Sequence, residues 1–369
     1  MMVTPIDWHP LMNTIIQQLA EGRTIDEFLS ELCRGRQIFA LQDGEAGQYH
    51  LVRTDHWDAS KHTLGDFRPI EPLKSVLFQP REFLGPTMDG AETTPLRERI
   101  VIGVKNCDLA GLKIQDHVFL GLSPDDPVYS EAREKTILVT ADCTDCRDVC
   151  FCPVVDEQPY AEEGYEINIS PVSGQYLIDA GSERGAQLLD EVSDYLAPAN
   201  EDLLEDGKHR RAAMYDRVSK QATEVGLRPG MDLAGAVRGA TDSSLWGDFA
   251  VDCVECGACN FVCCTCHCFL LADGTASDNV PVRGKQWDAC LLMNFARVAG
   301  GDNPRAGRAA RLRNRFQKKF SYFPEVINRY ACDGCGRCTE VCTGNIDIRA
   351  VLKRAVDETQ SVHADTGDD

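Results

Sequence analysis

The chain of 369 residues carries 38 lysines and arginines against 58 aspartates and glutamates, a formal charge of −20 at pH 7. That balance argues against nucleic acid or an anionic membrane as a general partner. A hydrophobic content of 43% is enough for the ordinary cores of two or three domains.

No apolar run is long enough to span a bilayer, and no basic segment followed by an apolar one opens the chain. Eighteen cysteines in such a chain read as reduced, metal-bound thiols in a cytoplasm rather than as a disulfide framework.

The first hundred residues read as mixed α/β. Leu11–Ala20 has apolar positions at near-helical spacing, and Ile25–Cys33 suggests a second short helix. Ile38–Leu41 and Ser75–Phe78 are candidate strands between loops rich in glycine and proline.

Ile100–Val104 is an apolar, β-branched run ending at Lys105-Asn106-Cys107-Asp108. Leu109–Leu120 then reads as a helix with Asp108 as its N-cap. Thr136–Thr140 is a second strand of buried type, ending at Asp142-Cys143. A strand–helix–strand unit makes two parallel strands whose C-terminal ends share one sheet edge. Cys107 and Cys143 are therefore expected side by side, with Cys146, Cys150 and Cys152 in the loop that follows. Four of these five thiolates are enough for a metal cluster, and spacing alone does not select the four. The plainer alternative is a buried apolar Cys107 beside a zinc loop.

Glu166–Ile169 and Tyr176–Asp179 suggest a hairpin turning at Ser173-Gly174, and Gly181–Gly185 a simple turn into a helix. Ala197–Asn200 is a natural boundary, and Met214, Val218, Ala222 and Val225 line one face of a charged connector helix.

The same four-cysteine phrase then occurs twice. Cys253, Cys256, Cys259 and Cys263 form the first copy; Cys332, Cys335, Cys338 and Cys342 form the second. Both have the spacing C-x2-C-x2-C-x3-C of bacterial two-cluster ferredoxins, in which the fourth cysteine ligates the other cluster. The expected sets are Cys253, Cys256, Cys259 and Cys342 for one [4Fe-4S] cluster, and Cys332, Cys335, Cys338 and Cys263 for the other. Structural zinc uses separated cysteine pairs instead. The proline that usually follows the fourth cysteine is replaced by Cys264 in the first copy and Thr343 in the second.

An insert, residues 264–331, separates the two copies and holds Cys264, Cys266, His267, Cys268, Trp287 and Cys290. These residues can furnish a further cluster, tune a neighbouring one, or pack. Tuning and packing are favoured, because four well-spaced ligands are not evident. Arg305, Arg308, Arg311, Arg313, Arg315, Lys318 and Lys319 form a basic helical run. Most such runs are solvated faces; here it can also dock an acidic electron carrier or offset the charge of clusters. From Asp357 onward an acidic, disordered tail is expected.

With these residues in hand, the chain resembles the family that includes the sulfhydrogenase beta chain and an iron–sulfur component of anaerobic sulfite reductase. The likeness is carried by residues 103–108, by Asp116–Leu120, and by Cys143 followed by Cys150-Phe151-Cys152. It continues through Cys253–Cys268, Arg283 with Trp287 and Cys290, Arg313–Tyr322 and Cys332–Cys342. The resemblance implies Cys107, Cys143, Cys150 and Cys152 as the ligands of a third [4Fe-4S] cluster, with Cys146 as an extra. It also implies an electron-carrying role inside a larger complex. The two neighbours would be a catalytic redox subunit, of hydrogenase, sulfite reductase or heterodisulfide reductase type, and a flavin- and NAD(P)H-binding subunit. A ferredoxin is a further candidate partner.

The expected architecture is thus α+β. An N-terminal α/β domain (1–198) contains the short parallel strand–helix–strand unit, and a helical connector follows (199–245). A mostly helical two-[4Fe-4S] ferredoxin-like domain occupies 246–356, ahead of the acidic tail (357–369). No nucleophile–base pair, P-loop or dinucleotide fingerprint offers a place for substrate chemistry. Two other readings remain: a catalytic iron–sulfur enzyme with substrate at the Cys107/Cys143 region, and a binding module stabilised by structural metal.

Overall fold

A computed structural model describes residues 16–86, 96–275 and 281–365 of the chain. Its strands in chain order are β1 Gln17–Leu19, β2 Gln37–Asp43, β3 Tyr49–Thr54, β4 His62–Thr63, β5 Arg81–Pro86 and β6 Arg99–Val104. They continue with β7 Thr136–Ala141, β8 Ile167–Val172, β9 Gln175–Ala180, β10 Leu196–Pro198, β11 Phe269–Thr275 and β12 Pro281–Trp287. Two units divide the described residues. The first draws on 16–78, 96–147 and 157–218, and the second on 79–86, 148–156 and 219–365.

The first unit is a mixed sheet in the order β10-β1-β9-β8-β7-β6-β2-β3, with β4 on β2. β2, β6, β7 and β8 are mutually parallel, and the flanking pairs are antiparallel. β6 and β7 are buried along their whole length, as expected of parallel strands covered on both faces. On one face Ile38, Ile100, Ile102, Ile137, Val139, Ile167 and Ile169 pack against Phe28, Leu29 and Leu32 of helix Ile25–Leu32. Thr24 and Glu27 close that helix with reciprocal side-chain-to-backbone bonds.

Three local expectations are corrected. Ser75–Phe78 is not a strand; Lys74–Leu77 is a single helical turn. The long helix after β6 is Asn106–Phe119, and its N-cap is Lys105 rather than Asp108. Asp108 lies inside the first turn, where its carboxylate accepts the Leu73 N–H (3.0 Å). Gln17–Leu19, expected within a helix, form β1; the rest of that helix, up to residue 15, lies outside the described residues.

The second unit is mostly helical around a core that includes Trp246, Leu312, Phe316, Phe320, Val351 and Leu352. It also contains an unanticipated antiparallel ribbon, β11-β12-β5. Lys285 on β12 and Glu82 on β5 form a buried ion pair at 2.6 Å that pins the ribbon's register. β5 and residues 148–156 come from the stretch expected as the N-terminal domain, so the second unit is assembled from separated pieces of sequence. Helix Ile348–Asp365 continues into the segment expected as a disordered tail; residues 366–369 lie outside the described residues.

Candidate metal centre

Each cysteine run folds into the same local shape. Gly257 and Gly336, both at positive φ, open the four-residue helices Ala258–Phe261 and Arg337–Glu340. Two residues earlier, Glu255 (φ 59°) and Gly334 (φ 65°) are left-handed as well. In the first run this alternation lets Cys253, Cys256 and Cys259 turn around one space while Cys263 departs along the helix.

The departure is visible around the first run. One apolar cavity is lined by Cys253, Cys256 and Cys259 of the first run together with Cys338 and Cys342 of the second. Cys263, the fourth cysteine of the first run, instead lies near Cys338 and Asp333. Soft thiolates from two runs around one apolar space are a donor set suited to an iron–sulfur cluster. No disulfide joins any of these cysteines among the described residues.

Residues 252–346 match a family model described as a 4Fe-4S dicluster domain. Sulfhydrogenase 2 subunit beta of Pyrococcus furiosus is 30% identical over 287 residues, covering 77% of this chain and 83% of that protein. The chain belongs to the sulfhydrogenase beta-subunit family.

In this family member the electrostatics of the cysteine region come from the basic run. Helix Arg308–Gln317 passes into a π-helical turn, Lys318–Tyr322, of a kind that recurs at functional sites. Arg311, Arg315 and Lys319, four residues apart, are all buried. Arg315 donates to the Cys259 carbonyl (3.1 Å) and reaches Cys266 Sγ (3.5 Å). Lys319 Nζ donates to Thr265 Oγ1 and to the Ala331 carbonyl (both 2.7 Å) and reaches Cys263 Sγ (3.3 Å). The inner face of the run thus aims cations at sulfur, where a solvated face was the commoner expectation. Arg337, also buried, reaches Cys264 Sγ (3.6 Å), and Cys264 contacts the Asp333 carboxylate (2.7 Å).

Burial pushes the Cys259 thiol up to about 11 and the Cys338 thiol up to about 12, with Arg315 opposing in both cases. Ligation needs thiolates, so loading metal here must expel protons. The cations lower that cost.

In the first unit the parallel pairing of β6 with β7 brings Val104 opposite Thr140, and the two loops leave from one sheet edge. Buried Lys105 lies there, its Nζ donating to the Gly65 carbonyl (2.7 Å) and the Asp142 carbonyl (3.3 Å). Cys107 and Cys143 both lie within its electrostatic reach. Burial raises the Cys143 thiol to about 11, against the pull of Lys105. Cys146 is a neighbour of Cys143. Cys150 and Cys152 belong to the second unit, where Phe151 N–H donates to the Gly334 carbonyl (2.8 Å). Sequence reasoning did not single out Lys105 or Arg337 as facing cysteines. Only their positions beside cysteine-bearing turns hinted at it.

No helix among the described residues is long and apolar enough to cross a membrane.

Proposed function

We propose that the protein is the iron–sulfur electron-transfer subunit of a multisubunit oxidoreductase. In this reading one neighbour is a catalytic redox subunit, of hydrogenase, sulfite reductase or heterodisulfide reductase type. The other is a flavin- and NAD(P)H-binding subunit, and electrons pass between the two through this chain. The observation that carries the reading is the cavity lined jointly by Cys253, Cys256, Cys259 and Cys342. These four are the ligand set of one [4Fe-4S] cluster; Cys332, Cys335, Cys338 and Cys263 are the set of a second. Such clusters supply one-electron carriers whose potentials follow charge, hydrogen bonding and exposure.

The chain's own residues do the rest. Arg315 and Lys319 offset thiolate charge, Gly257 and Gly336 set the turns, and the apolar cavity walls exclude water. Kinship with a sulfhydrogenase beta subunit supports membership of a multisubunit complex. A third cluster on Cys107, Cys143, Cys150 and Cys152 remains part of the proposal on sequence grounds.

The test is iron, acid-labile sulfide and zinc per chain on anaerobically purified protein, with EPR of the dithionite-reduced sample. Replacing Cys256 with serine should remove about four irons, the complement of one cubane, and likewise for Cys143. No loss from Cys143→Ser removes the third cluster and leaves the relay standing. Zinc in place of iron overturns the relay.

A further inference from the structure

A second cavity in the same unit is lined by thiols that the dicluster reading does not use. Cys266, Cys268 and Cys290 face it, together with Lys318, Lys319 and Arg315. Cys266 and Cys268 stand two residues apart just after the first run, and Cys290 follows β12, so the ribbon returns the chain to the same place. The side-chain amide of Asn260 links two of the three thiols. Its Nδ2 donates to Cys290 Sγ (3.0 Å) and Cys266 Sγ (3.5 Å). Lys318 Nζ reaches Cys268 Sγ (3.7 Å). Lys318 and Lys319, adjacent on the helix, serve separate targets, since the Lys319 ammonium reaches Cys263.

This constellation does not suit a single metal ion. Sulfurs around tetrahedral zinc stand about 3.8 Å apart, as bonds of about 2.3 Å require. Among the described residues, the donor group drawn within 4.8 Å of one another is Cys264, Asp333 and Cys335, which includes none of the three. Three thiols set wider than a zinc site, around a cavity edged by three cations, suit a larger body of negative charge. Amide and ammonium groups pointed at sulfur are the contacts that stabilise thiolates and tune cluster potentials.

We propose that Cys266, Cys268 and Cys290 hold a further iron–sulfur cluster through three protein thiolates. Such a cluster is either [3Fe-4S], or [4Fe-4S] with its fourth iron on a ligand other than a cysteine: His267 of the cavity lining, or a group from outside the chain. Arg315 borders both this cavity and the first one, so one guanidinium is shared between the two sites.

The experiment compares the anaerobically purified parent with Cys268→Ser and Cys290→Ser. Each variant should lose about three or four irons and the matching sulfide per chain while keeping the EPR signals assigned through Cys256→Ser. EPR distinguishes the two cluster forms, because [3Fe-4S] is paramagnetic when oxidised and [4Fe-4S] when reduced. Unchanged iron in a folded variant overturns the proposal, as does loss of a single zinc instead of iron.

A measurement on the parent guards against variants that do not fold. Cys266 and Cys268 are partly exposed, yet in the loaded protein they should resist iodoacetamide until iron is chelated. Alkylation of both before chelation overturns the proposal. Failure of Cys256→Ser to remove iron would instead strike the dicluster reading, so the two ideas fail separately.

Discussion

The two cysteine runs share a spacing and a backbone shape, yet their surroundings differ at several matched positions. Cys256 in the first run is exposed, whereas Cys335, its counterpart, is buried. Glu255 occupies the first run's left-handed position and pairs with Arg311. The second run needs Gly334 there, because an added Cβ would lie 2.4 Å from the Cys152 backbone. Asn260 turns its amide to sulfur, whereas Thr339, at the matching place, accepts the Ile348 N–H (3.3 Å) near the start of the last helix. Duplicate ligand spacing therefore does not mean duplicate sites. The first run is built to be reached from outside, and the second is locked into the core of its unit.

The sharpest way to break this comparison is to exchange the left-handed residues. Gly334→Ala meets both a positive φ and a backbone wall. It should cost several kcal/mol, on the order of 3, and about four irons per chain, read by thermal melting and metal analysis. Glu255→Gly meets no such wall; its cost should be limited to the Arg311 pair it breaks, with any iron loss confined to the first-run site. If both behave alike, the asymmetry has no energetic content.

A smaller effect is expected at Arg311, which donates to Glu255 and to the Arg305 carbonyl (2.9 Å). Arg311→Met should destabilise by roughly 2–3 kcal/mol, short of the full cost for a buried pair because Glu255 is partly exposed. Iron loss should be confined to the first-run site, as seen by EPR.

Lys319→Met leaves Cys263 without its ammonium, and the midpoint potential of the cluster that uses Cys263 should move to more negative values. Redox titration checks this, and the first-run cluster should shift less.

The mildest expectation concerns Asp347, which accepts from Thr339 and Arg349 beside the second run. Burial alone would raise its carboxyl, but the Arg349 and Thr339 bonds outweigh it and hold the group below its ordinary 3.8. The stability it adds is present in full above that pH and is lost as pH falls through the lower folded value. Asp347→Asn should therefore lower the melting temperature slightly and evenly near neutrality and flatten its acid limb, the parent and variant curves converging at the lowest pH.

Much of the first unit was legible because burial leaves a plain mark. Ile100–Val104 and Thr136–Thr140 are continuous apolar runs, and the crossover rule placed Cys107 and Cys143 at one edge. Ser75–Phe78 reads as a strand because the single turn Lys74–Leu77 has strand-like composition and is too short to show a helical period. The β11-β12 ribbon escaped notice because β11 is exposed on both faces, Phe269, Leu270 and Leu271 included, so no alternation marks it. The basic run was legible as a helix. That Arg315 and Lys319 turn inward to sulfur was not, because four-residue spacing marks a shared face without saying what that face packs against. The three thiols of the second cavity are named in the sequence as able to furnish a further cluster, but their grouping is not legible there, because Cys290 arrives through a ribbon the sequence does not reveal.

That ribbon also orders events in time. β5 leaves the ribosome long before β12, the strand it pairs with, and residues 148–156 likewise wait for the run around Gly334. The cysteine-bearing unit therefore closes only when nearly the whole chain has been made, and its folding depends on contacts of long sequence separation. A fragment beginning at residue 219 would keep every cysteine of the two runs and lack the edge strand and the loop that complete their housing. Excised in that way, it is not a ferredoxin with a longer leader but an unfinished fold, and metal offered to it early would meet loose thiols.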